Sequence, residues 1–181
     1  MHRYRKEADS MEKLDYMREA LALAKEALAD GEVPVGCVVV YRGQIIGRGR
    51  NRRECGKNAL AHAELEAIDE ACRCLGGWRL WQCDLYVTME PCPMCAGAIM
   101  NARIPRVYYG LPDLKGGAMG GLYDMFSFPV NHKPNVEGGI LEEECRAVLD
   151  AFFVWLREEK KRRKDACEIP AWKQKLQNGD L

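Results

Sequence analysis

Four side chains in this sequence have the types and spacing that hold a metal ion and move a proton: His62, Glu64, Cys92 and Cys95. Cys92 and Cys95 stand three apart, so on a helix they share a face and can reach one ion. Pro93 suits a first helical position with Cys92 as the cap residue. Thiols at that end feel the positive end of the helix dipole, which favours the thiolate that binds zinc. His62 opens a second helix, which would place a metal between two helix N-termini. One imidazole and two thiolates are donors that zinc prefers. Cys72 and Cys74 are candidates for a fourth position but fall further along the helix that His62 opens, facing elsewhere. Three protein ligands leave a place for water, whose pKa zinc lowers from about 15.7 to about 7. Glu64 would then carry the proton. Spacing alone leaves open whether Glu64 faces the metal, because two residues on a regular helix turn by about 200°. The competing reading is a structural zinc site, or buried thiols beside a satisfied histidine. A closed structural site takes four protein ligands and has no need of a free carboxylate.

The elements that must position these residues follow from hydrophobic periodicity. Residues 11–30 predict an amphipathic helix, with Met17, Ala20, Leu21, Ala24, Ala27 and Leu28 at helical spacing and Gly31 just past its end. Val35 to Tyr41 and Gln44 to Asn51 read as two strands joined at Arg42-Gly43 in a hairpin. A helix is expected from His62, with Leu65, Ile68 and Cys72 on one face. The alternating segment Asp84 to Glu90 reads as a strand that runs into Pro91-Cys92, where a helix continues to about Arg103. Arg106 to Gly110 is a fourth strand. A Gly-rich loop spans Asp113 to Gly121, and the segment with Pro129 and Pro134 has no clear assignment. A final helix starts near Leu141, with an apolar stripe of Leu141, Cys145, Val148, Leu149, Phe152 and Leu156. Beyond it, residues 157 to 164 are nearly all charged and Pro170 marks a break. This order predicts a single α/β domain with a mixed sheet of about five strands covered by helices, a three-layer α/β/α arrangement. The first two strands pair antiparallel, and the crossover helices imply parallel neighbours.

Composition excludes several classes. The 181 residues are 48% hydrophobic and 30% charged, ordinary for one globular domain. No apolar run approaches the roughly 18 residues that would span a bilayer, so no membrane association is expected. The N-terminal stretch lacks the apolar core of a secretory signal, which points to the cytoplasm. The nine cysteines are an odd number, which favours thiols and metal ligands over a disulfide framework. Lys and Arg balance Asp and Glu at 27 each, so bulk charge does not advertise a nucleic-acid binder. Locally, Arg48, Arg50 and Arg52 alternate on one side of a strand, followed by Arg53 and Lys57. Such a row can neutralise phosphates or simply solvate a strand face.

The Ala61-His62-Ala63-Glu64 and Pro91-Cys92-Pro93-Met94-Cys95 stretches resemble the H-x-E…P-C-x-x-C signature of zinc deaminases of nucleobases. Over roughly residues 13–158 the chain resembles the bacterial tRNA-specific adenosine deaminases, in the cytidine and deoxycytidylate deaminase superfamily. Glu32-Val33-Pro34-Val35-Gly36 looks like that family's pocket wall, with Val33 and Pro34 at the substrate. Asn51 stands where the family places a substrate-contacting asparagine, and Ala63 lies beside the base. Leu85 to Cys92 looks like its third strand entering the zinc helix. Asp113-Leu114-Lys115-Gly116-Gly117 resembles the loop that shapes the RNA-binding rim, with Asp113 and Lys115 as contacts. Asn131-His132, the Glu137 to Leu141 approach and Phe152-Phe153 also resemble it.

The resemblance implies a cytidine-deaminase-like fold and one zinc ion per subunit, held by His62, Cys92 and Cys95. It also implies that Glu64 faces the metal and that the chain assembles as a homodimer. The implied reaction is hydrolysis of adenosine to inosine at the wobble position of a tRNA anticodon stem-loop, where an unpaired base is easily extruded. Residues 1–10 are then an N-terminal extension, 11–158 the deaminase domain, and 159–181 a charged helix extension and tail. Without the family, Val33 reads as core, Asn51 as a strand or turn cap, Asp113 and Lys115 as a solvated turn, and Phe152 and Phe153 as core. A deaminase of free guanine or cytosine would share the metal and the glutamate. An idle zinc-binding partner subunit is the rival from outside enzymology.

Overall fold

The computed structural model describes residues 2–165, with side chains over 13–164. Its elements are α1 (His2–Ala29), β1 (Gly36–Tyr41), β2 (Gln44–Arg50), α2 (Ala63–Leu75), β3 (Cys83–Met89), α3 (Pro93–Ala102), β4 (Arg106–Leu111), a 3-10 turn (Met125–Ser127), β5 (Asn135–Glu137) and α4 (Glu142–Asp165). The expected break at Pro170 and the tail beyond residue 165 lie outside the described residues. The sheet order is β2-β1-β3-β4-β5. β1 pairs antiparallel with β2 and β3, whereas β3–β4 and β4–β5 are parallel. The expected mixed five-stranded sheet is therefore present.

Period-2 alternation divides the sheet's side chains between two layers. Val39, Leu85 and Val107 are register partners across three strands and face the core under α2 and α3. Val38, Tyr86 and Tyr108 are the matching row on the other face, under α1 and α4. The Tyr86 and Tyr108 rings stack at 4.7 Å between centroids. Truncating a core side chain such as Leu85 costs about 2–5 kcal/mol.

Three local features differ from expectation. Helix α1 begins at His2, well before residue 11. No Pro or Gly interrupts its first residues, and the buried stripe among its described side chains is Met17, Ala20, Leu21, Ala24 and Ala27, the part that periodicity reports. On α2 the buried face is Ala63, Glu64, Ala67, Ile68 and Ala71, while Leu65 and Cys72 are only partly buried. Alanines lead because α2 lies close against β2. A Cβ on Gly47 would fall 2.1 Å from the Ala67 carbonyl oxygen, and one on Gly49 2.0 Å from that of Ala63. The third is β5, three exposed residues that carry no hydrophobic pattern to read. The last helix begins at Glu142, near Leu141 as expected, and Leu141 itself takes a left-handed conformation (φ 52°) just before it.

The hairpin turn forms at Arg42-Gly43, both at positive φ (49° and 79°). Strand β2 is an edge, and α2 covers it: Arg48 N donates to Glu70 Oε2 at 2.6 Å and Arg50 N to Glu66 Oε2 at 3.5 Å.

Candidate active site

The antiparallel strands end beside two helix starts. Strand β3 stops at Met89, and Cys92 caps α3 with extended backbone (φ −72°, ψ 172°) and Pro93 in the first turn. His62 caps α2 in the same way (φ −86°, ψ 148°). His62 Nδ1 lies 3.8 Å from Cys92 Sγ and 3.6 Å from Cys95 Sγ. Tetrahedral zinc with ordinary bond lengths needs nitrogen and sulfur about 3.6 Å apart, so the donor set fits the ion. All three ligand atoms lie within 4.8 Å of one another. His62, Cys92 and Cys95 thus form a candidate zinc site. Cys72 and Cys74 do not join them among the described residues.

The protonation pattern follows from the geometry. The Cys95 thiol and the His62 imidazole converge on Cys92 and hold its thiol down at about 4. Cys95, buried and donating to Cys92, is pushed far up. Glu64 is 4% exposed, and that burial pushes its carboxyl up to about 7. Burial, then the nearby Glu64, raises the Cys37 thiol.

Above this group opens a cavity of ≈ 210 Å³ whose walls include Val33, Val35, Asn51, Ala63 and Asp113. Arg53 and Glu90 line it as well. Of the residues expected at the substrate, Val33, Asn51, Ala63 and Asp113 therefore meet at one cavity with His62, Glu64 and Cys92. Four others do not line it. Pro34 is buried beside it. Lys115 is exposed on the 113–121 loop, its N–H donating to Asp113 Oδ1 at 2.9 Å. Phe152 is 5% exposed and packs edge-on to Phe153 at 5.6 Å between ring centroids. Both sit on α4, the helix on the other face of the sheet, because the stripe that buries Phe152 turns Phe153 outward.

The arginine row is largely engaged within the chain. Arg50 pairs with Asp30 and Glu26, and Arg52 with Glu66 at 2.9 Å. Asn131 accepts from Arg103 at 2.8 Å, and His132 Nε2 lies 2.8 Å from the Ile104 carbonyl oxygen. That pair anchors the segment before β5 to the α3–β4 connection, away from the metal cluster.

Two residues were missed from sequence. Glu90 is 3% exposed, and its carboxylate accepts the N–H groups of Asp113 (2.9 Å), Met119 (2.8 Å) and Gly121 (2.9 Å). It shapes the 113–121 loop around itself; a Cβ on Gly117 would lie 2.4 Å from its carboxyl carbon. Glu32, 1% exposed, accepts from Asn51 Nδ2 at 3.1 Å and from Cys55 N at 2.7 Å. The only available signal was an acid inside an apolar segment, Glu32 before Val33-Pro34-Val35 and Glu90 after β3.

Comparison with known proteins agrees with this geometry. Residues 10–111 match the profile of the cytidine and deoxycytidylate deaminase zinc-binding region. The tRNA-specific adenosine deaminase of Bacillus subtilis is 50% identical over 147 residues, 81% of this chain and 91% of that protein. A solved structure from work on A-to-I editing by tRNA:A34 deaminases at the wobble position superimposes with a TM-score of 0.71 at 45% identity, covering 75% of this chain and 99% of the other. The guanine deaminase of Nitrosomonas europaea is more distant, with 27% identity and a TM-score of 0.64 over 77% of this chain and 83% of the other.

Proposed function

The chain belongs to the cytidine and deoxycytidylate deaminase family, and from that premise we propose that it hydrolyses adenosine to inosine at the wobble position of a tRNA anticodon loop. The observation that carries the chemistry is a buried carboxylate, Glu64, on the floor of a cavity shared with His62 and Cys92.

His62, Cys92 and Cys95 would hold the zinc ion, which would supply Lewis-acid activation of water. Glu64 takes one proton from the water that attacks C6 and passes it to the ring nitrogen, then carries that water's second proton to the amine, which leaves as ammonia as the C6–N bond breaks and C6–O becomes a carbonyl. Its burial keeps bulk water from exchanging that proton. Val33 and Val35 supply apolar walls for the base, Asn51 a polar contact, and Ala63 a small side chain beside it. Asp113 borders the cavity; Lys115 and Phe153 are exposed outside it, and their proposed role is contact with RNA beyond the extruded base. Arg53 borders the cavity and, like Arg50 and Arg52, pairs with a carboxylate, Glu54 at 3.2 Å.

A guanine or free-nucleoside deaminase would share the metal cluster. The higher identity to the tRNA-specific relatives favours the polymeric substrate. A stem-loop carrying adenosine at the wobble position should yield inosine; turnover of free guanine or cytosine alone overturns the proposal. We further assign the chain to the cytoplasm as a homodimer. No helix of the described residues is long and apolar enough to cross a membrane. Leu60 and Leu114, next in sequence to the site, are 59% and 73% exposed, surface that a second copy would cover. Sedimentation equilibrium should return twice the chain mass.

A further inference from the structure

Glu90 neither belongs to the metal cluster nor moves a proton in the proposed reaction, yet it is a buried carboxylate at the cavity. Its Oε2 accepts the N–H of Asp113, and its Oε1 those of Met119 and Gly121. All three donors belong to one loop, which also carries Gly116, Gly117, Gly120 and Gly121. A glycine-rich segment loses much conformational entropy on ordering, so it keeps one shape only where something holds it. Hydrogen bonds to an ionised acceptor are the strong ones. A Cβ on either Gly117 or Gly121 would run into the Glu90 carboxylate, so the loop closes on the acid backbone-first. The Asp113 bond is the first tie after β4. That strand ends at Leu111, Pro112 has no N–H, and the next donor, Asp113 N, goes to Glu90 at 2.9 Å. From Asp113 the order passes onward: its carbonyl accepts Gly117 N at 2.9 Å and its Oδ1 accepts Lys115 N at 2.9 Å. Asp113 is the residue of this loop that lines the cavity.

We propose that Glu90 is a positioning residue that sets Asp113 against the RNA substrate, and so governs how tightly the substrate is held and not how fast it reacts. This rests on the reading of Asp113 as a substrate contact. A carboxylate accepts at both oxygens, whereas a side-chain amide accepts at one end and donates at the other. In Glu90→Gln the amide oxygen keeps two of the three bonds by staying at Met119 and Gly121. Its NH2 then faces the Asp113 N–H. Two donors repel, and the N–H loses its partner. The damage falls on the one bond that leads to the cavity.

In Glu90→Gln the KM for the adenosine stem-loop should rise about 10-fold, inside the roughly 100-fold that misplacing a positioning group by about 1 Å can cost. The kcat and the zinc content should stay unchanged, the pattern of lost uniform binding. Asp113→Ala should raise KM as well. Glu90→Gln added to Asp113→Ala should raise it no further, because the group that Glu90 places is gone. A wild-type KM in Glu90→Gln, a fall in kcat at unchanged KM, or additive losses in the double variant overturns the proposal. An unchanged KM in Asp113→Ala sinks the reading of Asp113 and the proposal built on it, while inosine formation by the unaltered protein leaves the functional reading standing. No inosine from the unaltered protein removes the RNA substrate and the proposal together. If Glu90→Gln fails to fold, Gly117→Ala replaces it, since its Cβ crowds Glu90 Oε2, the atom that holds Asp113 N. Its KM should rise only while Asp113 is present; a rise of the same size in the Asp113→Ala background, or none in either, overturns the proposal.

Discussion

The two faces of the sheet handle buried polarity in opposite ways. Around the cavity three carboxylates are buried, Glu32 at 1%, Glu64 at 4% and Glu90 at 3% exposure. Under α1 and α4 no charged side chain of the described residues is buried; that layer packs Met17, Leu21, Tyr86 and Tyr108, and its charges pair outside, as Lys13 does with Glu137 at 2.9 Å. A face that only holds the sheet together fills with carbon, because burying polar groups costs energy without return. A face that must present donors and acceptors at fixed positions keeps acids and saturates them. Glu90 accepts three backbone N–H groups and Glu32 two hydrogen bonds, while Glu64 lies among the metal-binding side chains. Buried charge therefore marks the working half of the molecule.

The contrast can be broken by substitutions on each side. Cys92→Ser should have the largest effect, abolishing turnover and stoichiometric zinc together; metal analysis that still finds a full equivalent would remove Cys92 from the ligand set. Glu64→Ala should lower kcat by about 10²- to 10⁴-fold, the usual contribution of a positioned acid-base group, while zinc stays bound. Loss of the metal in that variant would mean Glu64 is a ligand. On the other face, Phe152→Ala should cost about 3–5 kcal/mol in a denaturant melt and leave kcat/KM of the folded protein unchanged; a selective loss of activity would return Phe152 to the substrate. Glu90→Ala should destabilise by about 1–3 kcal/mol for the acceptor lost to buried N–H groups. Hydrogen exchange should speed up at Asp113, Met119 and Gly121 and not across α4; uniform exchange would erase the distinction between the faces. The smallest effect is expected at Lys115→Ala, a weaker stem-loop affinity with a salt slope reduced by about one.

Much of this was legible in the residues themselves. His62, Cys92 and Cys95 were readable because their chemistry is rare and their spacing is imposed by helix geometry, and the structure gathers all three within 4.8 Å. The strand and helix order was readable because burial on one or both faces writes a period of 2 or 3.6 into the chain. The alanine face of α2 was not. Leu65 and Cys72 looked like its stripe, but the side chains that fit against Gly47 and Gly49 are the small ones, and closeness of approach leaves no periodic trace.

Local pattern by itself determined the metal-binding residue types, the caps at His62 and Cys92, the hairpin at Arg42-Gly43 and the first four strands, since each depends on near neighbours along the chain. Tertiary structure alone decided that Glu64 turns toward the cluster, that Phe152 and Lys115 lie outside the cavity, and that Glu66 and Asp30 engage the arginines. It also decided that Glu32 and Glu90 are sealed beneath the substrate wall. Those outcomes depend on contacts between segments far apart in the chain, and an acid's letter does not record whether a distant backbone N–H will come to meet it.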